Sequence, residues 1–228
     1  MKVLVVGGGG REHAIIWKIK QNPSVKKIYC APGNGGISEL AECVPIKATD
    51  IYSMVQFAKT NQMDLVVVSP DDPLAEGMVD ALQEAGIRAF GPVKAAAEIE
   101  GSKAFAKYLM KKYNIPTAEY EVFDSCEKAI EYLKKCKYPI VIKADGLAAG
   151  KGVIIAEDFE QASKVVKDMI ENKVFGKAGK KIIVEEFLKG REVSALVFTD
   201  GKTIVPMVSA QDHKKVFDND MGLNTGGM

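Results

Sequence analysis

Short apolar runs alternate with longer amphipathic segments along the first hundred residues of the chain. The apolar runs predict four buried strands, at Lys2–Val6, Lys27–Cys30, Leu65–Val68 and Ile87–Phe90. The amphipathic segments predict three helices, at Arg11–Lys20, from the capping residues Thr49 and Asp50 to about Thr60, and at Leu74–Ala85. Strands that alternate with helices at this spacing are typical of βαβ units around a parallel sheet. We therefore predict a doubly wound, Rossmann-like α/β domain over residues 1–101.

The pattern changes after Gly101, where Ser102 is placed to cap a helix that runs to about Lys112. The later elements are expected to be the strand Tyr120–Phe123, a helix near Cys126–Cys136, a strand–loop–strand over Tyr138–Ala156, a helix over Phe159–Glu171 and the strand Lys181–Phe187. Asp200-Gly201 joins two further apolar runs and is a strong hairpin signal. This half of the chain is therefore predicted to be α+β with antiparallel strand pairs.

Charge and composition narrow the classes of partner. Among 228 residues, 31 Lys and Arg nearly balance 30 Asp and Glu, which argues against a nucleic acid or a membrane surface bound by bulk charge. No apolar segment is long enough for a signal peptide or a membrane span, so a cytoplasmic protein is expected. The four cysteines lack C-x-x-C spacing, and His13 and His213 lie far apart, so reduced thiols and no histidine metal site are predicted.

The stretch "VLVVGGGGREHA" places four glycines between a strand and a helix. It meets only half of the dinucleotide-binding fingerprint, because Glu12 replaces the third small residue and the next strand ends at Cys30 without an acid. The amides of Gly8, Gly9 and Gly10 with the Arg11 side chain instead predict a site for one phosphate on a small sugar. A second loop, Pro32-Gly33-Asn34-Gly35-Gly36, is expected beside it at the carboxyl edge of the sheet. The alternative is that the glycines only permit a tight turn.

The stretch "VIKADGLAAGKGV" combines a buried strand with a second glycine loop. Lys143 lies near the end of the strand, where an unpaired ammonium is costly, so its side chain is expected to turn toward a ligand phosphate. Gly146, Gly150 and Gly152 predict a flap whose amides close over phosphates. The P-loop pattern G-x-x-x-x-G-K-[ST] is absent, since Gly152 follows Lys151 and a strand follows the flap.

The stretch "IVEEFLKGREV" offers the groups that an adenine pocket requires. The backbone from Glu186 to Leu188 can pair with the edge of the base, and Glu185 can accept from its exocyclic amine. Glu192 can accept from two ribose hydroxyls. The alternative is that these are acids in solvent at a strand end.

Taken in order, "VVGGGGREHA", "APGNGG", "FGP", "EGSKAFAK", "IPTAEY", "VIKADGLAAGKGV", "VEEFLKGREVS", "QDHKK" and "NTGGM" resemble the phosphoribosylamine–glycine ligases of the ATP-grasp superfamily. The resemblance spans Met1 to Met228. It implies ATP-dependent joining of glycine to 5-phosphoribosylamine through glycyl phosphate, in purine biosynthesis. It also divides the chain into a pre-ATP-grasp domain at 1–101, an ATP-grasp small subdomain at 102–190 and the beginning of a second subdomain at 191–228.

The resemblance also assigns roles to residues. Lys103 and Lys143 are expected on the ATP phosphates, with the flap that contains Asp145, Gly146, Gly150, Lys151 and Gly152 above them. The adenine is expected to lie against Glu185, Glu186, Phe187 and Leu188. The ribose is expected at Glu192. The phosphoribosyl group is expected at Gly8, Gly9, Gly10, Arg11, Pro32, Gly33, Asn34 and Gly35. The glycine and acyl-phosphate side is expected at Asp212, Lys214, Asn224, Gly226 and Gly227, with Lys103, Lys143, Asp212 and Lys214 as catalytic residues.

Two departures from the family qualify these assignments. Ser69-Pro70-Asp71 stands where relatives usually have Gly-Pro-Glu. The family also continues beyond "NTGGM", so the ligands for Mg²⁺ or Mn²⁺ are expected beyond residue 228, and none is predicted within the chain. We therefore expect a ligase fragment with little or no turnover alone, in a monomeric or weakly dimeric protein that binds small molecules only.

Three alternative functions stay open at this point. A nicotinamide-dependent oxidoreductase requires the acid and the third small residue that the first loop lacks. A non-catalytic nucleotide-binding module would bind ATP without turnover. Another ATP-grasp carboxylate–amine ligase would share the second half but differ in "GGGGREHA" and "QDHKK".

Overall fold

A computed structural model describes residues 1–148, 152–212, 215–218 and 221–224. The contacts between residues divide the chain into two compact units, Met1–Ala106 and Lys107–Met228. Within the described part of the chain, no helix has the length and apolar character needed to cross a membrane.

The first unit is built on a five-stranded parallel sheet with strand order β3-β2-β1-β4-β5. Its strands are β1 (Lys2–Gly7), β2 (Lys27–Pro32), β3 (Glu42–Cys43), β4 (Leu65–Val68) and β5 (Ala89–Phe90). Its helices are α1 (Gly10–Lys20), α2 (Ile51–Thr60), α3 (Asp71–Glu76), α4 (Met78–Glu84) and α5 (Lys94–Gly101). The predicted doubly wound α/β fold is confirmed.

Strand β1 is continuously apolar and buried from Val3 to Val6 because both faces of the sheet are covered. Leu4 and Val6 belong to one core cluster, which includes Met54 of α2. Val3 and Val5 belong to a second cluster, which includes Ile16 of α1. A central parallel strand between two helical layers has no solvent-facing side, and this produces a continuous apolar run instead of an alternating one.

The single helix predicted over Leu74–Ala85 is wrong, because α3 and α4 are separate helices. Gly77 stands between them with φ +98°, a left-handed conformation that ends a helix and that glycine adopts without strain. The pattern also gave no indication of α5 or of the two-residue strand β3.

The second unit contains a four-stranded antiparallel sheet with strand order β6-β9-β7-β8, as the α+β prediction requires. These strands are β6 (Tyr120–Phe123), β7 (Ile140–Ala144), β8 (Val153–Ala156) and β9 (Ile182–Glu186). The helices are α6 (Lys103–Lys112), which crosses the boundary between the units, α7 (Cys126–Leu133) and α8 (Phe159–Ile170). Helices α7 and α8 share a core cluster with one face of this sheet.

Two short antiparallel pairs follow, β10 (Val197–Thr199) with β11 (Ile204–Pro206) and β12 (Lys215–Phe217) with β13 (Met221–Asn224). The first confirms the predicted hairpin. Asp200 Oδ1 accepts from the amides of Lys202 and Thr203 at 3.0 and 2.7 Å, and Gly201 has φ +87°. All residues of β10 and β11 are exposed.

Candidate functional site

In the first unit, the strand order reverses direction between β1 and β4. Open α/β sheets bind ligands at the carboxyl ends of the strands beside such a reversal. The residues that follow β1 and β4 are Gly8 and Ser69. The predicted phosphate loop therefore lies at the position in this fold where a ligand crevice is expected.

The two glycine loops of the first unit lie side by side, as predicted. The Gly33 amide donates to the Gly7 carbonyl at 3.0 Å, and Asn34 Nδ2 donates to the Gly8 carbonyl at 2.8 Å. Asn34 Oδ1 in turn accepts from the Ile37 amide at 2.8 Å. A Cβ on Gly8 would lie 2.6 Å from the Gly33 carbonyl oxygen, so the close approach of the two loops requires glycine there.

Glu12 accounts for the missing third small residue of the fingerprint. Its side chain is 6% exposed and lies under the first loop, where Oε2 accepts from the Gly9 amide at 2.6 Å and Oε1 accepts from Ser69 Oγ at 2.6 Å. The prediction that Gly9 donates its amide to a phosphate is therefore wrong.

We predict that Gly33→Ala destabilises the first unit by about 2–4 kcal/mol, because alanine is strained in a left-handed conformation and the site is already filled. Gly33 has φ +74°, and a Cβ there would overlap the Cys43 sulfur. Gly35→Ala is the matched control, since its Cβ would meet no atom within 4 Å. Urea denaturation followed by Trp17 fluorescence measures both; equal midpoints for the two variants would contradict the prediction.

In the second unit, strand register places Lys143 and Glu185 on one face of the sheet. Val141 pairs with Glu185 and Lys143 pairs with Ile183 across β7 and β9, so the lysine and the glutamate are diagonal neighbours. The alternate residues of β7, Ile140, Ile142 and Ala144, point into the core beneath α7 and α8. This alternation places Lys143 on the opposite face of the sheet, away from that core.

Glu185 is the centre of a buried ion cluster. It is 5% exposed, its Oε1 is paired with the Lys143 ammonium, and its Oε2 lies 2.6 Å from the Lys107 ammonium. The alternative that Glu185 is an acid in solvent is thereby excluded.

The neighbouring strand end differs from the prediction in one respect. The Glu186 amide donates to the Glu119 carbonyl at 2.9 Å, because β9 pairs with β6 and the pairing extends to this residue. It therefore cannot also pair with a base in this conformation. The Glu186 side chain is exposed, Phe187 is half-buried and Leu188 is exposed.

The N-terminal end of the predicted flap is hydrogen-bonded to other residues of the second unit. The Asp145 amide donates to the Lys181 carbonyl at 3.0 Å, and the Gly146 amide donates to the Ala178 carbonyl at 3.3 Å. The prediction that the Gly146 amide closes over a phosphate is therefore wrong for this conformation. At the other end, the Gly152 carbonyl accepts from the Ala144 amide at 2.8 Å.

Four other predicted residues lie in the described part of the chain. Lys103 begins α6, Glu192 and Asp212 are exposed, and Asn224 ends β13. Five predicted positions lie outside the described residues, namely Gly150, Lys151, Lys214, Gly226 and Gly227.

Comparison with known families identifies both halves of the chain. The N domain of phosphoribosylglycinamide synthetase matches residues 1–100, and the ATP-grasp (A) domain of the same enzyme matches residues 101–228. The chain belongs to the phosphoribosylglycinamide synthetase family. The resemblance drawn from the motifs is confirmed.

Individual relatives of the synthetase family agree with this assignment. A phosphoribosylamine–glycine ligase of Clostridium acetobutylicum is 53% identical over all 228 residues, which cover 55% of that protein. The crystal structure of phosphoribosylamine–glycine ligase from Thermotoga maritima superposes with a TM-score of 0.84 at 34% identity, over 100% of this chain and 54% of that one. The chain thus spans about half the length of these relatives.

A more distant structure supports the fold alone. An ADP complex of N5-carboxyaminoimidazole ribonucleotide synthetase superposes with a TM-score of 0.71 at 18% identity and covers 96% of this chain. The two chains therefore share an architecture, and identity at this level says nothing about substrate.

One residue of the buried ion cluster was not predicted from the sequence. Lys107 follows Lys103 by four positions in "EGSKAFAK" and therefore shares its helix face. That spacing indicates that Lys107 lies near Lys103, but it does not show which strand end the helix packs against. The ion pair with Glu185 joins residues that are 78 positions apart and is visible only in the folded chain.

Where the structure describes the chain, it holds no group of three His, Cys, Asp or Glu residues arranged to bind a metal ion. The buried carboxylate of Glu185 is paired with two ammonium groups.

Proposed function

We propose that this chain supplies the nucleotide site and the phosphoribosylamine site of an ATP-dependent ligase that joins glycine to 5-phosphoribosylamine. The geometry that carries the proposal is the ammonium of Lys143 on the solvent-accessible face of the β7–β9 strand pair, 27% exposed and beside the buried carboxylate of Glu185. Membership of the family supports the choice of substrates, as do relatives that are named phosphoribosylamine–glycine ligase.

The nucleotide would lie against the Lys143–Glu185 face of the second unit. Val141 and Ile183 lie on this face and are buried, while Val122 and Ile155 are on the same face and about two-fifths exposed, so the strands offer an apolar surface to a purine ring. We assign pairing with the base edge to the Glu186 carbonyl and the Leu188 amide, and the ribose to Glu192. Lys143 would neutralise phosphate charge.

The proposed reaction has two steps. A carboxylate oxygen of glycine attacks the γ-phosphorus of ATP, the bond to the β-phosphate oxygen breaks, and ADP leaves. The amine of phosphoribosylamine then attacks the carbonyl carbon of glycyl phosphate, a C–N bond forms, the C–O bond to phosphate breaks, and the amine loses a proton. Such phosphoryl transfer depends on positioning and charge neutralisation more than on a nucleophilic side chain. Lysine ammonium groups supply that charge, and a divalent cation would add to it.

The phosphoribosyl group would lie at the crevice of the first unit. The exposed side chain of Arg11 offers a guanidinium at the start of α1, and Gly8, Gly10 and the Pro32–Gly35 loop surround the same sheet edge. Gly9 is left out of this set, because its amide is bound to Glu12.

The proposal is tested by measuring ADP release by the complete gene product with ATP, glycine and phosphoribosylamine, and again with each substrate omitted. We expect release that requires both glycine and the amine. Release that continues without glycine, or that needs a different carboxylate, would indicate another ATP-grasp ligase. Saturable ATP binding without any turnover would indicate a non-catalytic module.

A further inference from the structure

Lys107 is held as a fixed charge and not as a group that reaches toward a ligand. Its ammonium donates to Thr117 Oγ1 at 2.7 Å and to the Ala118 carbonyl at 3.3 Å, and it lies 2.6 Å from Glu185 Oε2. The ring of Tyr120 is centred 5.5 Å away, and the side chain is 12% exposed. An ammonium has three donors, and these neighbours surround it.

Lys143 is held less firmly. Its side chain is 27% exposed, more than twice the fraction of Lys107. Among the described residues, the partner found for its ammonium is Glu185 Oε1. Lys143 is therefore the member of the cluster that has room to turn toward an added phosphate.

The cluster contains two ammonium groups and one carboxylate. If Lys143 were the sole partner of Glu185, its movement to a phosphate would leave a buried carboxylate without a counter-ion, which is strongly unfavourable. With Lys107 fixed on Oε2, the carboxylate stays paired whichever position Lys143 takes. The second lysine thus removes a cost that nucleotide binding would otherwise carry.

We propose that Lys107 is a positioning residue of the nucleotide site, which keeps Glu185 paired and oriented so that Lys143 can exchange from this carboxylate to the phosphates of ATP. This inference rests on the proposed function. It assigns to Lys107 a role in nucleotide affinity and in the choice of base, through the orientation of Glu185 toward the exocyclic amine of adenine, without contact between Lys107 and the nucleotide.

The test compares Lys107→Met, Lys107→Arg and the control Lys111→Met in the complete protein. Lys111 lies four residues further along α6 and is exposed. Dissociation constants for ATP and GTP are measured by titration calorimetry, at a temperature where each variant is folded. We expect Lys107→Met to weaken ATP by about tenfold, which corresponds to about 1.4 kcal/mol. We also expect a smaller preference for ATP over GTP, substantial recovery in Lys107→Arg and no change in Lys111→Met.

Thr117→Val keeps the test decisive if Lys107→Met does not fold. It removes one hydrogen bond that fixes the ammonium, and we expect a smaller loss of ATP affinity in the same direction. A purely structural role would lower the unfolding temperature but leave both the ATP affinity and the ATP-to-GTP ratio unchanged, and that result would overturn the inference. Absence of saturable ATP binding by the unaltered protein would instead overturn the proposed function, and this inference with it.

Discussion

Replacing Lys143 by alanine in the complete protein is expected, on the proposed function, to lower kcat/KM for ATP by about 10²–10³-fold, the range seen when a preorganised group that stabilises transition-state charge is removed. The loss should appear in kcat as well as in KM, because charge on the transferred phosphoryl group is neutralised during the reaction and not only in the bound substrate. The fold should persist, since Glu185 keeps Lys107 as its partner.

The matched control for Lys143 is Lys164→Ala on α8, where the side chain is exposed and belongs to no ion pair found among the described residues. Steady-state ADP release measures the activity of both variants, and circular dichroism checks that both are folded. Activity of Lys143→Ala within threefold of the unaltered enzyme would show that this ammonium does not act on the phosphates. The nucleotide site would then have to lie elsewhere than on the β7–β9 face.

Much of the fold follows from periodicity. The unbroken apolar run of β1 was sufficient to predict a central parallel strand, because only a strand covered on both faces has no polar side. The break between α3 and α4 was not predictable in the same way. Gly77 leaves the apolar periodicity of Leu74–Ala85 unchanged, and its left-handed φ of +98° is a property of the folded backbone that periodicity does not encode.

The candidate site also combines features that the sequence predicts with features that it does not. The end of a strand, a glycine loop and the side on which Lys143 points follow from local sequence, because each depends on residues within a few positions. The hydrogen-bond and ion-pair partners of polar groups do not follow from local sequence. Gly9 donates to Glu12, Glu186 pairs with Glu119, and Lys107 meets Glu185, and the last two join segments far apart in the chain.

Ser69 makes another contact that the sequence did not predict. As a departure from the family motif it weakened an expected contact, yet its hydroxyl donates to Glu12 Oε1 and ties the end of β4 to the first glycine loop. A residue that breaks a motif can thus acquire a structural partner. Such compensation is visible only once both side chains are placed.

Glu185→Leu is expected to destabilise the β7–β9 strand pair by about 3–5 kcal/mol, because it leaves the buried ammonium of Lys107 without its counter-ion. Lys143 contributes less to this loss, since it is more exposed and can turn to solvent. Hydrogen exchange of the amides of Ile140–Ala144 and Ile182–Glu186 measures the free energy of opening at the affected strands directly.

The double variant Lys107→Met/Glu185→Leu separates a buried charge from a general packing defect. If the loss in Glu185→Leu comes from the unpaired ammonium, removing that ammonium as well should restore most of the stability, because replacing a whole buried pair by apolar residues is often neutral or favourable. The surface pair Glu131–Lys134, whose side chains are more than half exposed, is the control, and breaking it by Glu131→Gln should leave exchange at β7 and β9 unchanged. Strictly additive losses in the double variant would show that Lys107 and Glu185 are not energetically coupled. In that case their 2.6 Å approach would not be a functional charge contact.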